Sequence, residues 1–172
     1  MVCLPVLAAL AAGCSRPDPG LPAALPADPG LLRGGLAVSW TAHGLTWQVL
    51  PGWTCGANQD DFLCTDRAAP TVTARVRVEP LLGPIEAALH ADRFAGDDRA
   101  DRYTLTVDGM QGTLGIDHIP DKAEGFHCVF WTGYRSKPVE RVEFSACALG
   151  VAVRDAHRPA FEAMIGSIRN GS

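Results

Sequence analysis

The sequence predicts an α+β domain, an antiparallel sheet of about six strands packed with two helices. Three observations predict it. Thr71–Glu79 alternates without a break: Val72, Ala74, Val76 and Val78 point one way, while Thr73, Arg75, Arg77 and Glu79 point the other. That period of two is the mark of a strand with one buried and one wet face. Asp108-Gly109 separates Tyr103–Val107 from Gln111–Ile119, and such a dipeptide between strand-like runs is a strong two-residue hairpin signal. Phe161, Met164, Ile165 and Ile168 fall at i, i+3, i+4 and i+7, a single apolar stripe on a helix.

The remaining elements follow in chain order. Leu36–Trp40 and Leu45–Leu50 are short apolar strands separated by Thr41-Ala42-His43-Gly44. Pro51-Gly52-Trp53 ends the second one, and a long loop is expected from there to Thr71. Leu81–Phe94 reads as a helix with Pro84 in its first turn, where proline is tolerated. Phe126–Thr132 and Val139–Leu149 form a second hairpin through Tyr134–Pro138. Pro159–Arg169 is the closing helix. Pro159 suits its first turn and Asn170-Gly171 its end.

The amino terminus bears on location. An apolar run from Met1 leads into Leu10-Ala11-Ala12-Gly13-Cys14-Ser15. This resembles a bacterial lipoprotein signal, in which the cysteine after small residues receives lipid. The resemblance implies removal of residues 1–13 and a lipidated Cys14 holding the chain on a membrane outside the cytoplasm. No Lys or Arg precedes Cys14, which predicts a start upstream of Met1. Residues 14–34 are rich in Pro and Ala, a composition that makes semi-extended spacers. The domain is expected over 35–172, as one unit. The apolar run is too short to span a bilayer, which takes about 20 residues.

Six cysteines are present. With Cys3 in the signal and Cys14 lipidated, Cys55, Cys64, Cys128 and Cys147 remain, and an even set in an exported chain favours disulfides. Four cysteines allow three connectivities. Local geometry favours Cys55–Cys64, closing a short loop, and Cys128–Cys147, on strands that a hairpin would bring opposite each other. A zinc site is disfavoured, because its cysteines usually stand about two to four residues apart within each half.

A second resemblance rests on Val49-Leu50-Pro51-Gly52-Trp53, Val107-Asp108-Gly109 and Ile165-Gly166-Ser167-Ile168, taken in that order. Together they resemble the Mog1/PsbP-like group over roughly 45–170. That resemblance implies an α+β sandwich and a protein that binds or assists other proteins. It carries over no functional residues.

Chemistry-bearing motifs are sparse. The formal net charge is −4, with no basic run, so nucleic-acid binding is disfavoured. Asn58, Asp60, Asp61 and Asp66 cluster, as do Asp97, Asp98 and Asp101, but neither set has calcium-loop spacing. Solvated turns are the expected reading. His118 and His127, with Asp117 or Asp121, are loose candidates for a transition metal, although no metal or other cofactor is expected. No Gly-Xaa-Ser-Xaa-Gly elbow is present, and Ser167 is expected to pack within the last helix. His127, Val129 and Trp131 share one strand face, opposite Phe126, Cys128 and Phe130, and are the candidate partner surface.

The sum is a lipid-anchored, monomeric binding or accessory protein of the cell envelope, not an enzyme, contacting an envelope protein. The alternatives are an immunity or inhibitor lipoprotein against a toxin or hydrolase, and a metal- or small-ligand-binding envelope protein.

Overall fold

The computed structural model describes residues 30–58, 61–93, 100–117 and 125–171. Cys14 and the Pro/Ala-rich segment before Gly30 lie outside the described residues. Among the described residues, ten strands form two antiparallel sheets, and two helices pack on them. The small sheet holds β1 (Leu36–Trp40), β2 (Leu45–Val49) and β10 (Arg169–Asn170), in the order β1-β2-β10. The large sheet has seven strands, β3 (Trp53–Asn58), β4 (Asp61–Asp66), β5 (Thr73–Pro80), β6 (Ala100–Val107), β7 (Met110–Asp117), β8 (Phe126–Ser136) and β9 (Val139–Leu149). Its order is β3-β4-β5-β9-β8-β7-β6.

The expected α+β sandwich is therefore present, with more strands than expected. Trp53–Asp66 forms a hairpin, β3–β4, where the sequence reading placed a loop. Gly56, Asn58 and the aspartates read as turn formers. The cross-strand ladder to β5 overrides them: Cys64 pairs with Ala74 and Phe62 with Val76, which turns Cys64 into the core. The Asp108-Gly109 turn stands as read. Both residues have positive φ, 46° and 79°, as a primed two-residue turn requires, and Val107 pairs directly with Met110.

Helix α1 (Ile85–Arg93) starts just after Pro84, whose carbonyl accepts from the Ala88 amide at 3.3 Å. Helix α2 spans Val151–Gly166, so it starts eight residues before the expected position, and Pro159 lies inside it. The correction has a physical cause. Phe161, Ala163, Met164 and Ile165 are buried, and their packing outweighs the hydrogen bond that proline removes. Pro159 and Asp155 are exposed, so the carbonyl left without a donor faces water. Ser167 caps the helix end instead of lying within it. Its hydroxyl donates to the Met164 carbonyl at 2.6 Å and accepts from the Gln48 amide at 2.9 Å.

The core lies between the large sheet on one side and α2 with the small sheet on the other. Leu45, Trp47, Val49, Trp131, Phe144, Phe161 and Ile165 are almost wholly enclosed. Leu32, just ahead of the expected domain start, is buried against this core. Helix α1 packs on the opposite face, over β6, β7 and β8. Part of that second face, across β4, β5 and β9, has no helix over it among the described residues. No helix among them is long and apolar enough to cross a membrane, which says nothing of a β-barrel.

Candidate functional site: the open sheet face

His127, Val129 and Trp131 do not form a surface. All three are fully buried, because their side of β8 is the side covered by α2. The partner face expected there is corrected by this placement. Which of the two alternating sets faces inward is decided by the helix, and alternation alone does not tell.

Trp131 shows how closely that side is filled. Its indole lies along the paired glycines Gly112 and Gly133: a Cβ on Gly133 would fall 2.0 Å from Cη2, and one on Gly112 would fall 2.8 Å from Nε1. The indole N–H donates to the Leu105 carbonyl at 3.2 Å. His127 is held by Asp117, whose Oδ1 is 3.0 Å from Nδ1 and whose Oδ2 accepts from the Cys128 amide at 3.1 Å. The imidazole of this pair is fully buried, while the Asp117 side chain is 15% exposed. His118 and Asp121 lie outside the described residues, as do Asp60, Asp97 and Asp98. Among the described residues no group of three His, Cys, Asp or Glu side chains is placed to hold a metal.

The four domain cysteines form Cys55–Cys64 and Cys128–Cys147. In each pair the residues stand directly opposite across the ladder. The two bridges lie on opposite faces of the large sheet, since Cys64 faces the core and Cys147 the open side. Replacing Cys128 and Cys147 together with Ala is expected to cost about 3 kcal/mol, by chain-entropy reasoning for a loop of this length. Urea denaturation of the variant against wild type measures it.

The open side carries the polar chemistry. β4, β5, β9, β8, β7 and β6 present their side chains there in aligned rows. One row runs Leu63, Arg75, Ser145, Phe130, Gly115, Arg102. The next runs Asp61, Arg77, Glu143, Thr132, Thr113, Thr104. Arg77 donates through Nε to Asp61 Oδ1 at 2.8 Å, and Arg75 donates through Nη2 to Asp61 Oδ2. Arg141 pairs with Glu79 and, at 3.1 Å, with Glu143. Glu79 and Arg141 belong to the row after these two, where they stand opposite each other.

The Arg77 hydrogen bond, with help from Arg75, holds the Asp61 carboxyl below the ordinary carboxylate range. A depressed folded-state pKa stabilises above the unfolded value near 3.8, and the contribution is lost as pH falls through the folded value. Asp61→Asn is therefore expected to be less stable than wild type at neutral pH, with the gap closing below about pH 4. Thermal melts across that range check it.

Phe130 is the aromatic element of this face. Its ring lies over Gly115, where a Cβ would sit 2.0 Å from Cζ. The Arg102 guanidinium stacks above the same ring, 5.4 Å from its centroid, an arrangement favoured by the ring's negative face. Between Phe130 and the Arg75–Arg77 pair is a groove of about 270 Å³, floored by Ser145 and Glu143 of β9. Further along, Tyr134 ties α1 to the sheet by donating to Asp92 Oδ2 at 2.6 Å. Burial and that hydrogen bond push the phenol far above its ordinary range, so it remains a donor.

Sequence reasoning identified the wet face of β5 but did not single out Arg75, Arg77, Arg102, Phe130 or Ser145 as a set. The signal that finds them is register. Arg75, Ser145 and Phe130 align only once β5, β9 and β8 are known to be neighbours.

This arrangement, a half-covered antiparallel sheet with two helices and a smaller second sheet, defines the class: a Mog1-like fold. Among solved structures, a protein from Bacteroides thetaiotaomicron VPI-5482 matches with a TM-score of 0.56 and 11% identity. That match covers 80% of this chain and 49% of the other, so the chain spans about half the length of that protein. The Saccharomyces cerevisiae Ran-binding protein Mog1p matches with a TM-score of 0.53 and 11% identity, over 80% of this chain and 96% of that one. A point mutant of protein Mog1 matches at 0.51 and 10% identity, over 80% and 96% of the two chains. At this identity the likeness is one of fold. No protein-family model and no curated protein sequence matches the chain.

Proposed function

We propose that this protein is a lipid-anchored binding or accessory module of the bacterial cell envelope, held by lipid on Cys14 and working through contacts with an envelope protein, without catalysis. The observation that carries the reading is the open sheet face. It joins ordered arginine–carboxylate pairs to a half-buried Phe130 and an exposed Leu63, and Arg and aromatic residues are what protein interfaces favour. Two disulfides within one small domain suit an oxidising compartment. Among fold neighbours, Mog1p is a Ran-binding protein, an analogy of framework and not of site.

The test is capture from native membranes with the tagged full-length chain, read by mass spectrometry. One stoichiometric envelope partner is the expected result, and a released or secreted toxin or hydrolase as that partner would make the protein an inhibitor. Intact, membrane-bound protein that retains no partner overturns the binding reading. An unlipidated amino terminus in the same spectra overturns the anchor.

A further inference from the structure

We infer that the groove between Arg75 and Phe130 receives an acidic, extended segment of the protein partner, its carboxylates gripped by Arg75 and Arg102. The inference rests on the binding reading above and adds to it the place and the chemistry of contact.

Consider first the charges facing the groove. Asp61 is shared by Arg75 and Arg77, Glu79 by Arg77 and Arg141, and Glu143 is paired with Arg141. Every carboxylate named on this face is thus matched by an arginine. Arg102 is the exception on the cationic side. Among the described residues it has no carboxylate partner, only the Phe130 ring beneath it. Its Nε–H is buried and makes no hydrogen bond, and the same is true of Arg75 Nε–H. A buried N–H left unpaired is costly and rare. Here two guanidinium donors are unpaired, one on either side of the same ring and in the same row of the ladder. The chain as a whole carries −4, and Arg102 is a cation of this face with no carboxylate partner among the described residues.

The shape selects the form of the ligand. Ser145 is small and lies between Arg75 and Phe130, which stand higher, so the trough runs along β9 from Ser145 to Glu143, walled by Arg75 and Arg77 on one side and by Phe130 and Thr132 on the other. A side chain alone would not fill it. An extended backbone can lie along it, with one carboxylate side chain at Arg75 and another reaching over the Phe130 ring to Arg102, which stands on the far side of that ring. Such contacts are charge-assisted, and arginine's planar fork suits carboxylates. Thr132 and Ser145 offer hydroxyls on the floor for the backbone.

The experiment uses the full-length chain in detergent and fluorescein-labelled hexaglutamate, followed by anisotropy at low ionic strength, with hexalysine as the control. Saturable binding of hexaglutamate is expected, weakened by salt. Arg75→Ala and Arg102→Ala are each expected to weaken it about tenfold, the loss of one charge-assisted contact. Arg158→Ala, on α2 across the sheet, is expected to leave it unchanged. Glu143→Gln removes the carboxylate from the groove floor and is expected to tighten binding. That opposite sign keeps the test decisive if an arginine variant fails to fold. Absence of saturable binding, or equal affinity across all four variants, overturns the inference. If the membrane partner is still captured by wild type and equally by Arg102→Ala, the groove assignment falls and the binding function stands.

Discussion

Trp131→Ala is expected to destabilise the protein by about 3–5 kcal/mol, the range for truncating a large aromatic in a packed core. The indole is fully buried and its N–H donates to the Leu105 carbonyl. The loss is expected to sit at the upper end of that range for a geometric reason. The indole covers Gly112 and Gly133, which have no side chains of their own to close the space. Neither glycine can fill the void, and the penalty for a cavity grows with the volume that remains. Urea denaturation, followed by the fluorescence of Trp40, Trp47 and Trp53, would show a lowered midpoint with the slope kept. Phe130→Ala, one residue away on the open face, is the informative comparison. Its ring also covers a glycine, Gly115, but it stands half-exposed under Arg102. A loss smaller by about 2 kcal/mol is expected there, since less apolar area leaves water on folding. Equal losses at the two positions would mean that the two faces of β8 are equally enclosed, and the assignment of the open face would fail.

The pair also shows what the sequence makes legible. Alternation along β8 separates His127, Val129 and Trp131 from Cys128 and Phe130 with no structural knowledge. It is silent on which set faces inward, because both contain aromatic residues. That choice depends on α2, whose first half, Val151–Arg158, has only Arg154 buried and carries little apolar periodicity. The hairpins at Asp108-Gly109 and between β8 and β9 were readable because their signals are local. The β3–β4 hairpin was not, since its stability comes from β5 alongside it and from a disulfide, while its own composition resembles a turn. The groove was the least legible feature. Arg75, Ser145, Phe130 and Arg102 come from four separate strands and meet only through the order β5-β9-β8-β7-β6.

Arg135 supports the second large effect. It is 5% exposed, yet it is a charge. Its Nε and Nη2 donate to Glu140 Oε2, the first at 2.8 Å, while Nη1 donates to the His43 carbonyl at 2.7 Å and to Asn170 Oδ1 at 3.1 Å. One guanidinium thereby joins the tip of the β8–β9 hairpin to the turn at Thr41–His43 and to β10. Arg135→Met keeps much of the volume and removes every donor. It leaves Glu140 as an uncompensated, mostly buried carboxylate, and breaking a buried pair this way costs about 3–5 kcal/mol. Adding Glu140→Leu is expected to recover a large part of that loss, because an apolar pair of similar volume can replace a buried ion pair at little cost. Recovery would stop short of wild type, since the His43 carbonyl and Asn170 still lack their donor. Hydrogen exchange distinguishes this local link from general loosening. Amides of β10 and of the Thr41–Gly44 turn are expected to exchange faster in the double variant, while those in the centre of β8 and β9 keep their protection. A double variant as unstable as Arg135→Met alone would instead place the energy in the carbonyl and amide contacts, and the ion pair would be incidental to how the two sheets are held together.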